Sequence, residues 1–242
     1  MGTLRYRQNR GIYPHLRPLT EIRKQPMKIK PLLYIVAIAA LAFTYFSNQS
    51  VMSADKSPAK MPDVPAGHEQ ISLGAGCFWC IEAIYNRLDG VKSAVSGYTG
   101  GSVKNPTYQD ICTGASGHAE VVHIVYDPKV VTLDTILAWF WKAHDPTTLN
   151  RQGNDVGTQY RSAIYYYNDA QRKLAEASKT AAQKDFKSPI VTEITKSVKF
   201  YPGEAYHQDF YKKNKSKNSY CRFIIAPKMK KLGFEDKEKV AK

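Results

Sequence analysis

The chain has 242 residues, of which 43% are hydrophobic, enough for one well-buried domain with extensions. Its net charge of +14 lies almost entirely in residues 1–30 and 212–242, so the body has no excess of basic residues and we expect no nucleic-acid partner. The four cysteines are too few for a disulfide scaffold in a chain of this length.

The N-terminal region has the layout of an export signal. We interpret residues 1–26 as a basic upstream extension of the reading frame and Met27 as the natural start. A basic MKIK segment then leads into the apolar run PLLYIVAIAALAFTYF at 31–46, followed by small residues up to Ala54. The run is shorter than the roughly 20 apolar residues of a spanning helix. We predict a signal peptide or membrane anchor at 27–54, with the body in the periplasm or facing it.

Beyond a Pro-rich linker at 55–68, the body alternates between strand and helix patterns. Strands are predicted at 70–73, 91–98, 119–126, 160–167 and 190–196, and helices at 77–88, 133–144 and 169–186. Thr132 or Asp134 is expected to cap the second helix. The order predicts an α+β fold, a two-layer sandwich around a mixed or antiparallel sheet, with a ferredoxin-like (split βαβ) core.

The segment GCFWC at 76–80 joins the first predicted strand to the first predicted helix. At a helix start the Cys77 sulfur would meet unpaired N–H groups and the positive end of the helix dipole, which favour a thiolate and lower the thiol pKa. Gly74 and Gly76 permit the sharp turn that this position requires. The pattern indicates an exposed cysteine nucleophile.

Other interpretations of the pair Cys77 and Cys80 remain open at this point. A tethered metal-binding module would need a second Cys/His pair, and since none has zinc-site spacing we expect no metal. An envelope thiol–disulfide oxidoreductase that uses the two cysteines is the stronger alternative. The intervening Phe78 and Trp79 suit a small apolar group instead, such as a methyl on sulfur.

Further motifs follow along the body. They are Glu82 after GCFWC, GYTGG at 97–101, NPTY at 105–108, GHAE at 117–120, HDPTTLNRQGNDVGTQYRSAI at 144–164 and YHQDF at 206–210. Together they resemble the peptide methionine sulfoxide reductase A family over residues 69–232, which leaves a charged tail at 233–242. The resemblance implies a mixed α/β enzyme, expected to be a monomer, that reduces the S epimer of methionine sulfoxide, free or in oxidised proteins.

The resemblance assigns the reacting groups. Cys77 would attack the sulfoxide sulfur, and Glu120 in GHAE would protonate the sulfoxide oxygen. Burial at the start of a strand could hold the Glu120 carboxyl protonated near neutral pH. Attack then releases methionine and leaves a sulfenic acid on Cys77.

Further motif residues would bind the substrate. By resemblance, Tyr108 and Tyr160 would donate hydrogen bonds to the sulfoxide oxygen, and Asp155 would hold the substrate or an ordered water. Phe78 and Trp79 would enclose the methyl group. The chemistry requires such donors, since sulfoxide sulfur is a poor electrophile until its oxygen is protonated or strongly hydrogen-bonded.

Two thiols compete to resolve the sulfenic acid. Cys221 occupies a resolving position by resemblance, after a Lys/Ser/Asn-rich segment that we expect to be flexible. It is slightly preferred to Cys80, which helix geometry constrains, and a relay through Cys80 stays open. We expect Cys112 to be a buried, inert thiol and His207 a structural hydrogen-bonding residue. No bound cofactor is expected; a thioredoxin-type dithiol protein would supply the electrons.

Overall fold

The computed structural model describes residues 55–234. The predicted N-terminal extension, the predicted signal or anchor, and the tail from residue 235 lie outside the described residues, and their predictions stay untested. Between residues 55 and 234, no helix has both the length and the apolar character needed to cross a membrane.

The described chain is built around a six-stranded sheet with the order β7-β6-β1-β3-β2-β8. Its strands are β1 (Glu69–Ala75), β2 (Val91–Thr99), β3 (Ala119–Tyr126), β6 (Ser162–Tyr166), β7 (Glu193–Lys196) and β8 (Tyr201–Pro202). Neighbouring strands are antiparallel except for β6 and β7, which are parallel. A separate two-residue ladder pairs β4 (Arg151–Gln152) with β5 (Asp155–Val156).

Helices connect and cover these strands. They are α1 (Phe78–Tyr85), α2 (Tyr108–Cys112), α3 (Leu133–Ala143), α4 (Asp169–Ala182), α5 (Phe210–Asn214) and α6 (Ala226–Lys231). Short 3₁₀ turns lie at Thr158–Tyr160, Gln183–Asp185 and Ala205–His207, and a π-helix at Cys221–Ile225 precedes α6. Thr132 caps α3 as predicted, because its hydroxyl accepts a hydrogen bond from the Thr135 amide.

The two faces of the sheet bury different amounts of apolar surface. One face packs the side chains of Leu73 and Ile124 against Ile81 of α1 and Phe140 of α3 in the main core. The other face carries a smaller cluster around Val121. Because side chains alternate along a strand, β3 supplies both clusters and is buried along its whole length. This central strand also carries Glu120.

The predicted order of strands and helices is confirmed, and the fold is α+β with a mixed sheet. Several ends differ: the helix predicted at 77–88 spans Phe78–Tyr85, and the strand predicted from 190 begins at Glu193. The β4–β5 ladder and α2 were not predicted, because elements of two to five residues are too short to show a periodic pattern.

Part of the predicted linker is held against the body. The Ala59 amide donates to the Gly203 carbonyl at 3.0 Å, and the Ala205 amide donates to the Ser57 carbonyl at 2.8 Å. A bridge between Pro58 and Glu204 continues this pairing. The segment therefore lies along the loop that leads to Ala205–His207, next to the candidate site.

Candidate active site

A sharp turn between β1 and α1 positions Cys77. Gly76 adopts φ +80°, a left-handed conformation that favours glycine, and a side chain there would overlap Gln152. Cys77 follows as the residue that precedes the first turn of α1. The predicted turn is confirmed, but the predicted exposure is wrong: Cys77 is only 8% exposed.

The predicted low pKa of Cys77 is also wrong for the substrate-free protein. Burial raises the pKa of the Cys77 thiol well above its usual range, and the nearby Cys80 and Glu120 act in the same direction. The Phe78 amide at the helix start donates to Glu120 Oε2 at 3.1 Å. Because that N–H is already used, the helix start favours the thiolate less than the local sequence suggested.

Glu120 lies deep on β3, opposite Tyr98 of β2, and is 2% exposed. Burial raises the pKa of its carboxyl to about 8, and the charge of Asp155 adds to the effect, while the Phe78 amide opposes it. The expected protonated carboxyl near neutral pH is therefore what this environment favours. Such a group can donate a proton to an oxygen atom bound beside Cys77.

A cavity of about 180 Å³ brings the sequence-predicted residues together. It is lined by Cys77, Phe78, Trp79, Tyr108, Glu120, Asp155, Tyr160 and Tyr220. We call it the first cavity. The predicted nucleophile, acid, hydrogen-bond donors and aromatic residues all line it, although they come from four separate segments of the chain.

Different local structures position the two tyrosines that are predicted hydrogen-bond donors. The Tyr108 amide starts α2 and donates to Glu204 Oε1 at 2.8 Å, and Thr107 caps the same helix. Tyr160 ends the 3₁₀ turn that follows Gly157. Burial raises the pKa of both phenols, so both stay protonated and can donate hydrogen bonds at neutral pH.

Trp79 is clamped on several sides. Its indole N–H donates to His207 Nδ1 at 3.1 Å, and its ring stacks on Phe210 with a centroid separation of 3.7 Å and an interplanar angle of 7°. The ring of Tyr220 meets it edge-on at 5.8 Å. His207 is therefore a hydrogen-bonding residue as predicted, and Phe210 is a supporting residue that sequence reasoning missed.

Tyr220 is the principal site residue that the motifs did not reveal. Its hydroxyl donates to Asp155 Oδ2 at 2.8 Å, and its side chain lines cavities that also contain Cys77 and Cys80. Tyr220 lowers the pKa of Cys77 and so favours the thiolate. Its only sequence signal is that it directly precedes Cys221 in NSYCRF.

Cys80 lies within reach of Cys77. The Cys80 amide donates to the Cys77 carbonyl at 3.2 Å, both residues line one cavity, and the neighbouring Cys77 lowers the pKa of Cys80. Sequence reasoning placed both residues inside one helix and so overestimated the constraint; Cys77 has ψ 120° and lies outside α1. The pair therefore needs less rearrangement to approach than two residues within a regular helical turn.

The other two cysteines differ from expectation. Cys221 is fully buried at the start of the π-helix instead of lying in an open, flexible approach, because Ile225 and Met229 draw this segment into the core. Burial raises its pKa, with Cys80 as a further nearby influence. Cys112, predicted to be buried, is exposed at the end of α2.

A second cavity of about 230 Å³ adjoins the first and shares Cys77, Asp155 and Tyr220 with it. It also reaches Cys80 and Lys228. We call it the second cavity. Within the described residues, no three His, Cys, Asp or Glu side chains form a group that could hold a metal ion.

Comparison with known proteins decides between the interpretations of this site. A family model described as peptide methionine sulfoxide reductase matches residues 69–240. The chain belongs to the peptide methionine sulfoxide reductase family. It is thus an oxidoreductase, and the alternative of a general thiol–disulfide oxidoreductase is not favoured.

Curated relatives of this reductase cover its body almost completely. A peptide methionine sulfoxide reductase MsrA of Saccharolobus solfataricus is 53% identical over 174 residues, 71% of this chain and 98% of the relative. Another from Leptospira borgpetersenii is 50% identical over 173 residues, with 70% and 98% coverage.

Solved structures agree in fold with the reductase. The reduced form of Mxr1 from Saccharomyces cerevisiae matches with a TM-score of 0.63 and 33% identity, covering 69% of this chain and 96% of that one. Methionine sulfoxide reductase A of Corynebacterium diphtheriae matches with a TM-score of 0.57 and 34% identity, with 67% and 89% coverage.

Proposed function

We propose that this reductase converts the S epimer of methionine sulfoxide, free or within oxidised proteins, to methionine through attack by Cys77. The observation that carries the proposal is the first cavity, where a cysteine and a buried carboxyl face the same space beside two tyrosines. A nucleophile for sulfur and a proton donor for oxygen are the two groups that sulfoxide reduction needs.

The sequence of bond changes follows from these positions. Tyr108 and Tyr160 donate hydrogen bonds to the sulfoxide oxygen, and Glu120 protonates it. The Cys77 thiolate attacks the sulfoxide sulfur and forms a bond to it. This bond and the methionine S–O bond then break as the protonated oxygen transfers to Cys77, and methionine leaves. The oxygen ends on Cys77 as sulfenic acid, so Cys77 is oxidised by two electrons and methionine sulfoxide is reduced by two.

Selection of one epimer follows from three fixed directions. A sulfoxide sulfur carries a methyl, an oxygen and the rest of the methionine chain, and it is chiral. Phe78 and Trp79 enclose the methyl, Glu120 receives the oxygen, and Cys77 approaches the sulfur. Because these three positions are fixed, only one epimer can place all three groups correctly while the rest of its chain leaves the cavity. The family resemblance implies that this epimer is S.

Resolution begins with Cys80 in our proposal, because Cys80 lines the second cavity together with Cys77 and its amide bonds the Cys77 carbonyl. Its sulfur displaces hydroxide from the sulfenic acid, which leaves as water, and a Cys77–Cys80 disulfide forms. Cys221 can then exchange with this disulfide from its buried position near Cys80. The earlier preference for Cys221 becomes a relay in which Cys80 acts first.

The remaining proposals concern context. We propose a thioredoxin-type dithiol protein as reductant, a monomeric enzyme, and export to the periplasm by the segment at 27–54. An active phosphatase reporter fused after residue 60 would support export, whereas equal activity without residues 27–54 would count against it. The strand order β6-β1-β3-β2, with α1 and α3 as the connections, supports the ferredoxin-like description of the core.

The test is a single-turnover assay on a peptide that contains either the S or the R epimer of methionine sulfoxide. We expect one equivalent of methionine per enzyme from the S epimer and none from the R epimer. Equal reduction of both would contradict the arrangement of three fixed directions.

A further inference from the structure

A third and larger cavity, of about 670 Å³, lies beside the second cavity. Four lysines line it: Lys142, Lys187, Lys228 and Lys231. The lining acids are Asp145 and Asp185, so the lysines are in excess, and half-buried Phe186 and Leu232 form part of the surface. We call this cavity the lysine groove. Its charge is positive beside an apolar floor, a combination suited to an acidic protein surface.

The three cavities form a series. The first and second share Cys77, Asp155 and Tyr220 as a common wall, and the second and the lysine groove share Gln152 and Lys228. The first cavity and the lysine groove share no lining residue. The groove is therefore adjacent to the side where Cys80 is reached, not to the side where a sulfoxide would bind.

We propose that the lysine groove docks the acidic face of the dithiol protein that reduces the enzyme after each turnover. This proposal rests on the proposed function and specifies where its reductant binds. A partner seated there places its own thiols at the second cavity, next to Cys80. The sulfoxide would bind in the first cavity, which shares no lining residue with the lysine groove, so the two partners contact different residues.

The reducing step at this position is a thiol–disulfide exchange between the partner and the enzyme. One thiolate of the partner attacks the enzyme disulfide, forms a mixed disulfide and releases an enzyme thiolate. The partner's second thiol then displaces the other enzyme sulfur, so the partner ends as a disulfide and the enzyme regains two thiols. The ammonium of Lys228 lies near Cys80 and favours its thiolate, which makes Cys80 a better leaving group.

The test uses the full chain with Lys187→Glu and Lys231→Glu together, since both side chains are exposed and lie away from the reacting thiols. The matched control is Lys129→Glu with Lys173→Glu, two exposed lysines that line none of the three cavities. The probe is an acidic thioredoxin regenerated by its reductase and NADPH, compared with dithiothreitol as a small dithiol.

With thioredoxin, we expect the groove variant to lose about tenfold or more in kcat/KM, because reversed charges slow the encounter. Its dependence on salt should also weaken relative to wild type. Its single-turnover methionine release and its turnover with dithiothreitol should match the control variant. Equal kcat/KM and equal salt dependence for the groove and control variants would overturn the docking proposal. Absence of methionine release in every variant would instead reject the proposed function.

Discussion

The Tyr220 hydroxyl donates a 2.8 Å hydrogen bond to Asp155, and this pair separates the first cavity from the second. Tyr220 also lowers the pKa of Cys77, against the larger effect of burial. A residue from the C-terminal segment thus completes the wall against which the nucleophile lies. Tyr220 also directly precedes Cys221, so movement of one residue would affect the other.

Replacement of Tyr220 by Phe should weaken the nucleophile. The variant keeps the ring against Trp79 but loses the hydroxyl that bonds Asp155 and lowers the pKa of Cys77, so the thiolate becomes less favoured. We expect the single-turnover rate at neutral pH to fall about tenfold, the scale of one polar interaction with a charged group, and the difference from wild type to narrow as pH rises. Tyr166→Phe, outside both cavities, is the control; equal rates for the two variants would remove Tyr220 from the mechanism.

Glu120→Gln should slow single-turnover methionine release by about 10²-fold or more, the scale of general acid catalysis. In wild type the Glu120 carboxyl has a pKa of about 8, so its proton is present below that pH and is lost above it. The single-turnover rate of methionine release should therefore fall as pH rises through about 8. In the Gln variant that fall should disappear.

Glu82→Gln is the matched control for this pH dependence. Burial also raises the pKa of the Glu82 carboxyl to about 8, but the residue does not line the first cavity and its Oε2 accepts a bond from the Phe210 amide. The variant should keep the fall above pH 8. A Glu120 variant within twofold of wild type, or loss of the fall in the Glu82 variant alone, would contradict the assignment.

Both carboxyls also affect stability in the same direction. A folded-state pKa near 8 exceeds the value of about 4.3 expected in an unfolded chain. The folded state therefore binds these protons more tightly, so their contribution to the free energy of unfolding declines as pH rises from about 4.3 to about 8. The decline should be smaller in each Gln variant, as measured by urea unfolding at several pH values.

Phe210→Leu should loosen the substrate site without touching the reacting atoms. The stack between Phe210 and Trp79 is lost, and aromatic pairs of this kind contribute about 0.5–1.5 kcal/mol. We expect kcat/KM for a methionine sulfoxide peptide to fall roughly three- to tenfold, mainly through KM. Phe223→Leu, at an exposed position, should have no such effect. An equal loss of kcat/KM in that variant would argue against a role for the stack between Phe210 and Trp79.

The order of the resolving thiols can be read from two variants. Cys80→Ser should accumulate sulfenic acid on Cys77, because the neighbouring thiol is removed. Cys221→Ser should still form a Cys77–Cys80 disulfide. Peptide mapping after one turnover distinguishes these products. A Cys77–Cys221 disulfide formed at the wild-type rate in the Cys80 variant would restore Cys221 as the first resolving thiol.

The motifs could predict much of the site because its chemistry depends on residue type and order. Glu120, Tyr108 and Tyr160 stand in separate motifs, and the structure brings them to one cavity. The alternation of strand and helix patterns was likewise enough for the α+β architecture. These features repeat over many residues or bear a distinctive chemical group, so a single sequence contains them.

Other features depend on tertiary contacts that the sequence does not display. Phe210 and Tyr220 reach the site from segments more than 120 residues after Cys77, and neither carries a reactive group that would single it out. The pKa of Cys77 was misjudged because a local argument from the helix start omitted its burial and the bond between Phe78 and Glu120. Burial and hydrogen-bond competition are properties of the folded chain.

In the proposed mechanism Cys77 alone performs the reductive step. A single turnover of the Cys80→Ser, Cys221→Ser double variant with an S-sulfoxide peptide tests this step. Methionine release and the intact mass of the enzyme are measured together. The account predicts one equivalent of methionine and one added oxygen atom, located on Cys77 by peptide mapping. Methionine release by a Cys77→Ser variant, or oxygen on Cys112 in place of Cys77, would contradict it.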